Sequence, residues 1–445
     1  MSYLLKGGTV ITLDPPVVER VDLRVHDGQI VARAKDLKPQ AGDEVVDVRG
    51  KLVMPSLVCG HTHLYSTLAR GMPGPERPPG NFKEILELVW WRLDRALDRE
   101  AIYYSALVGA LEAARAGTTC LFDHHSSPSF IQGSLGVVSE ALETIGLRGV
   151  LCYEITDRGG QALRDEGVAE TSAFLESIKR RINDAGQVRR GSVLVRGMVG
   201  AHASFTLSDE SLGACSEIVQ AYDAGFHIHV AEDQCDVDDA HSKYGLGVVE
   251  RLANHGLLNQ RTILAHGTHL DEREIRMALD AGAWFAHNPG SNMNNQVGYA
   301  PVVQFGDRSA LGTDGIGADM FEQARLAFFK GRDAHGSNTP GDWIRVLARG
   351  QQLASESFGV DFRALAPGSA ADLIVLDYNA PTPLAPDNLA GHLIFGMNSR
   401  LVDSVMVNGR FIIKNGQSGL DEEELSRKAR DVAARLWSRF TELSS

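Results

Sequence analysis

The feature that most constrains this chain is an alternation. Between residues 57 and 314, eight short apolar runs are separated by segments with helical periodicity. The runs are 57–63, 118–124, 148–155, 193–202, 225–232, 262–266, 283–287 and 309–314. Most are apolar nearly throughout, as strands covered on both faces are. Between the runs, Ser208 suits an N-cap and Asp209 and Glu210 suit the first turn. Leu212, Cys215, Val219 and Tyr222 then form one face before Gly225. A second helix is predicted over 101–116, stopped by Gly117. Eight strand–helix alternations predict an α/β fold of the (β/α)8, or TIM, barrel type.

The flanks read differently. Residues 9–13, 21–25 and 29–32 mix apolar and polar positions in short runs, with a turn at His26-Asp-Gly28. Runs 44–48 and 52–54 follow, and the whole reads as half-buried antiparallel strands. The same style returns after about residue 365, in 371–376, 404–407 and 411–413, with a turn at Asn408-Gly409. The expected organisation is a composite β-sandwich from 1–54 and 366–420, a barrel over 55–365, and a C-terminal helix over 421–445. That helix places Leu425, Ala429, Val432, Leu436 and Phe440 on one face.

The strand ends carry the chemistry. The first ends in His61-Thr62-His63, and residues two apart on a strand point the same way. The fifth gives His227-Ile-His229-Val-Ala-Glu232, the sixth His266-Gly267, the seventh His287-Asn288 and the eighth Thr313-Asp314. In a barrel those ends form one face, where catalytic groups gather. A lone His-x-His or Thr-Asp-Gly is a weak signal. Their order along the chain, His-x-His, His-x-x-Glu, His-Gly, Asp, is a strong one. Imidazoles plus one carboxylate suit Zn²⁺ or Fe²⁺ with a position left open for water. Such a metal lowers the pKa of that water toward neutrality and yields hydroxide. Spacing alone allows either His227 or His229 as a ligand, and leaves His124 and His125 as packed or supporting residues.

Composition removes other classes. Net charge is −13, which disfavours nucleic acid and anionic membrane surfaces as partners. The N-terminus lacks a charged region followed by an apolar one, and no run of about 18 apolar residues occurs. Five cysteines without a C-x-x-C pair fit a reducing cytoplasm. There is no dinucleotide or P-loop glycine motif. The expected partner is a small molecule.

Several tracts together resemble the amidohydrolase superfamily in its deaminase/chlorohydrolase branch. They are Pro55-Ser-Leu-Val-Cys-Gly-His61-Thr-His63-Leu64, Ala116-Gly-Thr-Thr119 with Asp123, His229-Val-Ala-Glu232, Ala265-His-Gly267, His287-Asn-Pro-Gly-Ser-Asn292 and Leu311-Gly-Thr-Asp314-Gly315. Ala371-Asp-Leu373 and Val407-Asn-Gly409 match its terminal strands, so the likeness spans nearly the whole chain. Trp90-Trp-Arg-Leu-Asp-Arg95, Asp123-His-His-Ser-Ser-Pro128, Ser291-Asn-Met-Asn-Asn295 and Gly315-Ile-Gly-Ala-Asp-Met-Phe321 are similar to the SsnA group within that branch.

The resemblance implies metal ligands His61, His63, His229 and Asp314, holding one divalent metal, Zn²⁺ or alternatively Fe²⁺. It implies Glu232 as the acid/base that protonates a ring nitrogen and His266 as the group that polarises the attacked centre. Asp314 would also take the water's proton, and His202 would touch the substrate. The implied reaction is deamination of an amino-substituted heterocycle by metal-bound hydroxide, with release of ammonia. The ring would be a purine, pterin, pyrimidine or triazine. Displacement of chloride or an alkylamine from a triazine-like ring is the alternative, and a silent binding relative the third. A homodimer is expected from the family.

Two departures stand out. Ser56 and Cys59 replace the family's Gly and Asn, with Cys59 packed below the ligands. No Lys lies in run 193–202, which argues for one metal rather than two. The loop over 65–91 is expected to lid the pocket. Trp91, Trp90, Tyr65, Phe205 and Phe321 are candidates to stack on a ring, and Asn292 and Asn295 to bind substrate or brace a loop.

Overall fold

A computed structural model describes residues 2–186 and 192–443. The eight apolar runs become strands Leu57–Thr62, Thr118–His125, Arg148–Ile155, Val199–Ala203, Phe226–Val230, Ile263–His266, Trp284–His287 and Ser309–Leu311. Each pairs in parallel with the next. The ring closes where Thr62 bridges Asp314. There the Thr313 and Asp314 amides both donate to the His61 carbonyl, at 2.9 and 3.1 Å. Helices cover the outside, so strands such as the second and third are buried along their whole length. The fold is the expected (β/α)8 barrel.

Two strands differ from expectation. The fourth run is split into Val195–Gly197 and Val199–Ala203. Among the described residues the first piece pairs with the third strand, and after Met198 the second piece keeps that partner and adds the fifth strand. Gly200 marks the close approach: a Cβ there would lie 2.5 Å from the Tyr153 carbonyl. The eighth run stops as a strand at Leu311. Its last residues turn inward to close the barrel, and Asp314 takes a left-handed φ of 54° to do so.

The chain's two ends share a sheet. Leu52–Pro55 pairs in parallel with Thr9–Leu13 and antiparallel with Leu373–Leu376. That seven-stranded sheet faces a four-stranded one made of Gln29–Ala34, Asp22–His26, Ser2–Lys6 and Asp43–Asp47. Tyr3, Val10, Val25, Val53, Val375 and Met406 fill the layer between them. The strands are not all antiparallel as expected, because Ser2–Lys6 also pairs in parallel with Asp43–Asp47. Asp27-Gly28 and Asn408-Gly409 each adopt positive φ at both positions, the turn that matches strand twist.

Arg148, at the start of the third barrel strand, joins the barrel to this terminal sheet. It meets Asp372 through Nε–Oδ1 at 2.7 Å and Nη2–Oδ2 at 3.0 Å, and both side chains are buried. The C-terminal helix Glu422–Glu442 buries Leu425, Ala429, Val432, Leu436 and Phe440, the predicted face. Trp437 donates to the Leu68 carbonyl at 2.8 Å, which ties the helix to the segment after the first strand. Among the described residues, no helix is long and apolar enough to cross a membrane.

Candidate active site

His61, His63, His229 and Asp314 each turn one ligand atom into a common space at the barrel mouth, and those four atoms all lie within 4.8 Å of one another. Two backbone contacts fix the rings. His63 Nδ1 donates to the His124 carbonyl at 2.6 Å, and His229 Nδ1 donates to the His202 carbonyl at 2.7 Å. In the neutral rings both Nε2 atoms therefore present lone pairs, and these stand 3.1 Å apart. Asp314 Oδ1 lies 2.9 Å from His63 Nε2 and 3.3 Å from His61 Nε2. His61 Nε2 is buried without a hydrogen-bond partner among the described residues. Converging lone pairs and a carboxylate at the wall of an open pocket favour a cation. The donor set fits one divalent metal of the Zn²⁺ or Fe²⁺ kind. His227 is not in this set: its Nε2 sits behind His61, 2.9 Å from Nδ1.

The charges agree with that reading. Burial opposes charge on His63, but Asp314 outweighs it and moves the imidazole up to about 9. Burial also works against ionised Asp314, yet the adjacent His61 and His63 imidazoles hold it well below the usual carboxylate range. His61 is pushed by burial to about 3, and His229 well below its ordinary value for the same reason. The cluster is thus a fixed carboxylate facing mostly neutral rings, as a cation site should be.

Glu232 stands beside it. Burial pushes its carboxyl up to about 7. Oε2 is 3.4 Å from His266 Nε2, and Oε1 accepts from Asn295 Nδ2 at 3.2 Å. His266 Nδ1 lies 2.8 Å from Asn292 Oδ1, so it is the protonated nitrogen and Nε2 faces the site as an acceptor. Asn292 Nδ2 in turn reaches Thr268 Oγ1 at 3.3 Å. Asn292, 2% exposed, thereby braces His266, whose other nitrogen faces the site. Ser291 donates to Asp314 Oδ2 at 2.5 Å, which turns Oδ1 toward the imidazoles. Ala231, His266 and Asp314 all take left-handed φ, at 46°, 71° and 54°. Such backbone is sparsely populated for residues other than glycine, and it gathers at functional sites.

The pocket above is aromatic. Tyr65, Phe82, Trp90, Trp91, His202 and Phe205 line it together with His63, His229, Glu232, Asn295 and Asp314. Trp91 meets His202 edge-on at 5.8 Å, and His202 Nδ1 is 2.8 Å from Thr206 Oγ1. Burial lowers His202 to about 3, which keeps it neutral. Trp90 and Trp91 reach the pocket because the helix widens to a π-type turn over Leu86–Trp90, a feature common at functional sites. The expected lid segment does supply pocket walls, whereas Phe321 is a core residue at 2% exposure. Cys59 is packed as expected, 3.3 Å from Thr313 Oγ1.

Trp91 and Glu154 also line a second cavity of about 680 Å³ on the other side of the indole. There Arg158 lies 4.7 Å over the Trp91 ring. It is held by Glu154 Oε1 at 2.5 Å and Asp94 Oδ2 at 3.3 Å. Asp94 Oδ1 is buried and lacks a hydrogen-bond partner among the described residues. Sequence reading missed Asp94, Glu154 and Arg158. Glu154 had left a signal, as a lone acid near the end of an apolar strand run. His124 Nε2 donates to the Ala201 carbonyl at 3.0 Å and its Nδ1 faces Glu154 Oε2 at 3.3 Å, which makes it a link between the two cavities. His125 is bound to Ser127 at 2.9 Å, away from the ligands.

Fold and site together define a metal-dependent hydrolase of the (β/α)8 class. The chain belongs to the amidohydrolase family, whose sequence pattern matches residues 52–412. It is 30% identical over 421 residues to the 5-methylthioadenosine/S-adenosylhomocysteine deaminase of Pyrococcus furiosus, covering 93% of this chain and 96% of that one. It is 28% identical over 440 residues to the 5'-deoxyadenosine deaminase of Methanothermobacter thermautotrophicus, covering 97% and 98%. Among solved structures, the zinc complex of atrazine chlorohydrolase TrzN from Arthrobacter aurescens is similar at TM-score 0.81 and 25% identity, covering 97% of this chain and 100% of that one. A zinc-bound adenosine deaminase from Xanthomonas campestris shares the fold at TM-score 0.83 and 23% identity, covering 98% of both chains.

Proposed function

We propose that this protein is a mononuclear metal-dependent deaminase that releases ammonia from an amino-substituted nitrogen heterocycle of the aminopurine kind. The observation that carries the reading is Glu232, a buried acid that keeps its proton near neutrality and faces the four-ligand cluster. Relatives named as adenosine-type deaminases match along nearly the whole chain, which supports the same class. Zinc bound in similar folds supports Zn²⁺ as the ion.

His61, His63, His229 and Asp314 would hold the metal, which supplies Lewis acidity and a water of near-neutral pKa. The chain's own groups do the rest. Tyr65, Trp91 and Phe205 offer faces for a flat ring. Glu232 protonates the ring nitrogen next to the attacked carbon, so that negative charge does not build up on the ring. His266, held by Asn292, presents Nε2 to the attacked centre and orients the nucleophile's hydrogen. Asp314 accepts a proton and passes it to the departing amine. A ring substituent extends past Trp91 into the cavity walled by Asp94, Glu154 and Arg158. Five cysteines, all unpaired, support a reducing compartment such as the cytoplasm.

An ammonia-release screen over purines and their nucleosides, pterins, pyrimidines and triazines tests this reading. Ammonia from at least one aminopurine is expected. Chloride or alkylamine release from triazines without any deamination would overturn it.

A further inference from the structure

The helix after the fifth strand, Gln234–Tyr244, carries an acid that the proposed chemistry does not use. Asp236 is 2% exposed and lies at the floor of the pocket. Its two oxygens serve two different walls. Oδ1 accepts the Phe205 N–H at 2.9 Å, and Oδ2 accepts the Ala231 N–H at 2.8 Å. Phe205 follows the fourth strand and sets its ring 5.7 Å from that of His202 and 6.5 Å from that of Trp91. Ala231 follows the fifth strand, takes the left-handed φ of 46°, and immediately precedes Glu232. The other end of that turn is held as well, by the His269 N–H on the Ala231 carbonyl at 3.0 Å.

We propose that Asp236 is a positioning residue that holds the Phe205 wall and the acid Glu232 in one register. The face on which a ring stacks and the group that protonates it then stay at a set separation. This rests on the role given to Glu232 above. Only a carboxylate suits the position, because it offers two acceptors and no donor to two converging N–H groups. An amide would turn an NH₂ toward one of them. The Ala231 backbone has no reason of its own to be left-handed, so losing its N–H partner frees the turn to relax and swing Glu232 off target. Misplacing a reacting group by about 1 Å lowers rate on the order of 10²-fold.

The test is a double-mutant cycle on the full-length, metal-loaded protein, with 5'-methylthioadenosine as probe and ammonia as readout. Single turnovers with enzyme in excess keep slow variants measurable. Asp236→Asn is expected to slow the wild-type background about 10- to 100-fold, and a Glu232→Gln background by less than about threefold, at unchanged metal content. Equal slowing in both backgrounds would overturn the inference and leave the Glu232 reading intact. No slowing by Glu232→Gln alone would instead remove the reading on which it rests. Amide hydrogen exchange gives a check that needs no turnover. Asp236→Asn should speed exchange in both 203–207 and 230–233, with the rest of the barrel unchanged. If either segment keeps its protection, Asp236 does not couple the two walls. Should Asp236→Asn fail to fold, Asp236→Glu, which keeps the charge and displaces it, goes through the same cycle with the same outcomes.

Discussion

The Nε2 atoms of His63 and His229 stand 3.1 Å apart, and each ring donates from its other nitrogen to a backbone carbonyl. With both Nδ1 atoms donating, the two Nε2 lone pairs face each other beside the Asp314 carboxylate, an arrangement that favours a cation between them. Purified protein is therefore expected to contain about one divalent metal per chain. His63→Ala or His229→Ala should remove it. Chelation should lower the melting temperature as well as ammonia release, and Zn²⁺ should restore both. Elemental analysis with thermal scans measures this, and a melting temperature indifferent to chelation would count against the site.

Glu232 gives the second prediction. Burial holds its carboxyl near 7, which suits a group that must both give and take a proton. Glu232→Gln keeps the size and the hydrogen-bond capacity toward Asn295 but cannot cycle a proton. Ammonia release should fall on the order of 10²- to 10⁴-fold, with metal content unchanged. Loss of metal in the variant would show that the residue is structural.

Much of this site was legible in the sequence because barrel strands impose it. A run buried on both faces tolerates a polar residue only where it can be satisfied, and His61, His63, His229, His266 and Asp314 fall at strand ends. Which of His227 and His229 enters the cluster could not be read from spacing, since both point to the same side. The register of the fifth strand against the first decides it, placing His227 behind His61. Asp94, Arg158 and Asp236 lie on helices and loops, where local sequence carries no sign of what faces them. The left-handed turn at Ala231 was equally hidden, because alanine rarely adopts that conformation, whereas His266 and Asp314 are of types that visit it more often.

The cavity beyond Trp91 gives the third prediction. Asp94 and Glu154 accept hydrogen bonds there, so a ring substituent that carries donors should hold the substrate through them. Asp94→Asn and Glu154→Gln are expected to raise KM several-fold for an aminopurine nucleoside while leaving the free base nearly unaffected. Steady-state kinetics on the two substrates separates these effects. A matching loss on the free base would show that the cavity acts on the ring itself.

Asp94 also carries a pH signature. Burial raises its carboxyl to about 7, with Glu154 adding to the shift and Arg158 opposing it. The unfolded chain loses the same proton near 3.8. The folded state therefore binds the extra proton in between. This stabilising contribution is complete below about 4 and is lost as pH rises through about 7. Asp94→Asn should flatten the fall in stability across that window, as read from denaturant midpoints. A parallel decline in both proteins would place the pH dependence elsewhere.

The buried pair of Arg148 and Asp372 makes the last prediction, since it joins the barrel to the sheet built from the chain's two ends. Arg148 also lies 5.1 Å over the rings of Phe358 and Phe362, so its guanidinium is enclosed by apolar surface on the barrel side. Asp372 Oδ2 also accepts the Asn408 N–H at 3.1 Å, which sets the turn into the strand Arg410–Lys414. Removing the carboxylate leaves a buried cation without its counter-ion, at a cost of about 3–5 kcal/mol. Asp372→Ala should lower the unfolding midpoint accordingly, while metal content and kcat at low temperature stay near wild type, because the pair lies at the opposite end of the strands from the ligands. Replacing both partners, Arg148→Met with Asp372→Leu, should recover much of the loss, because the desolvation of two charges disappears with them. If the double variant is no more stable than the single one, the Asn408 turn rather than the ion pair is what binds the sheet to the barrel.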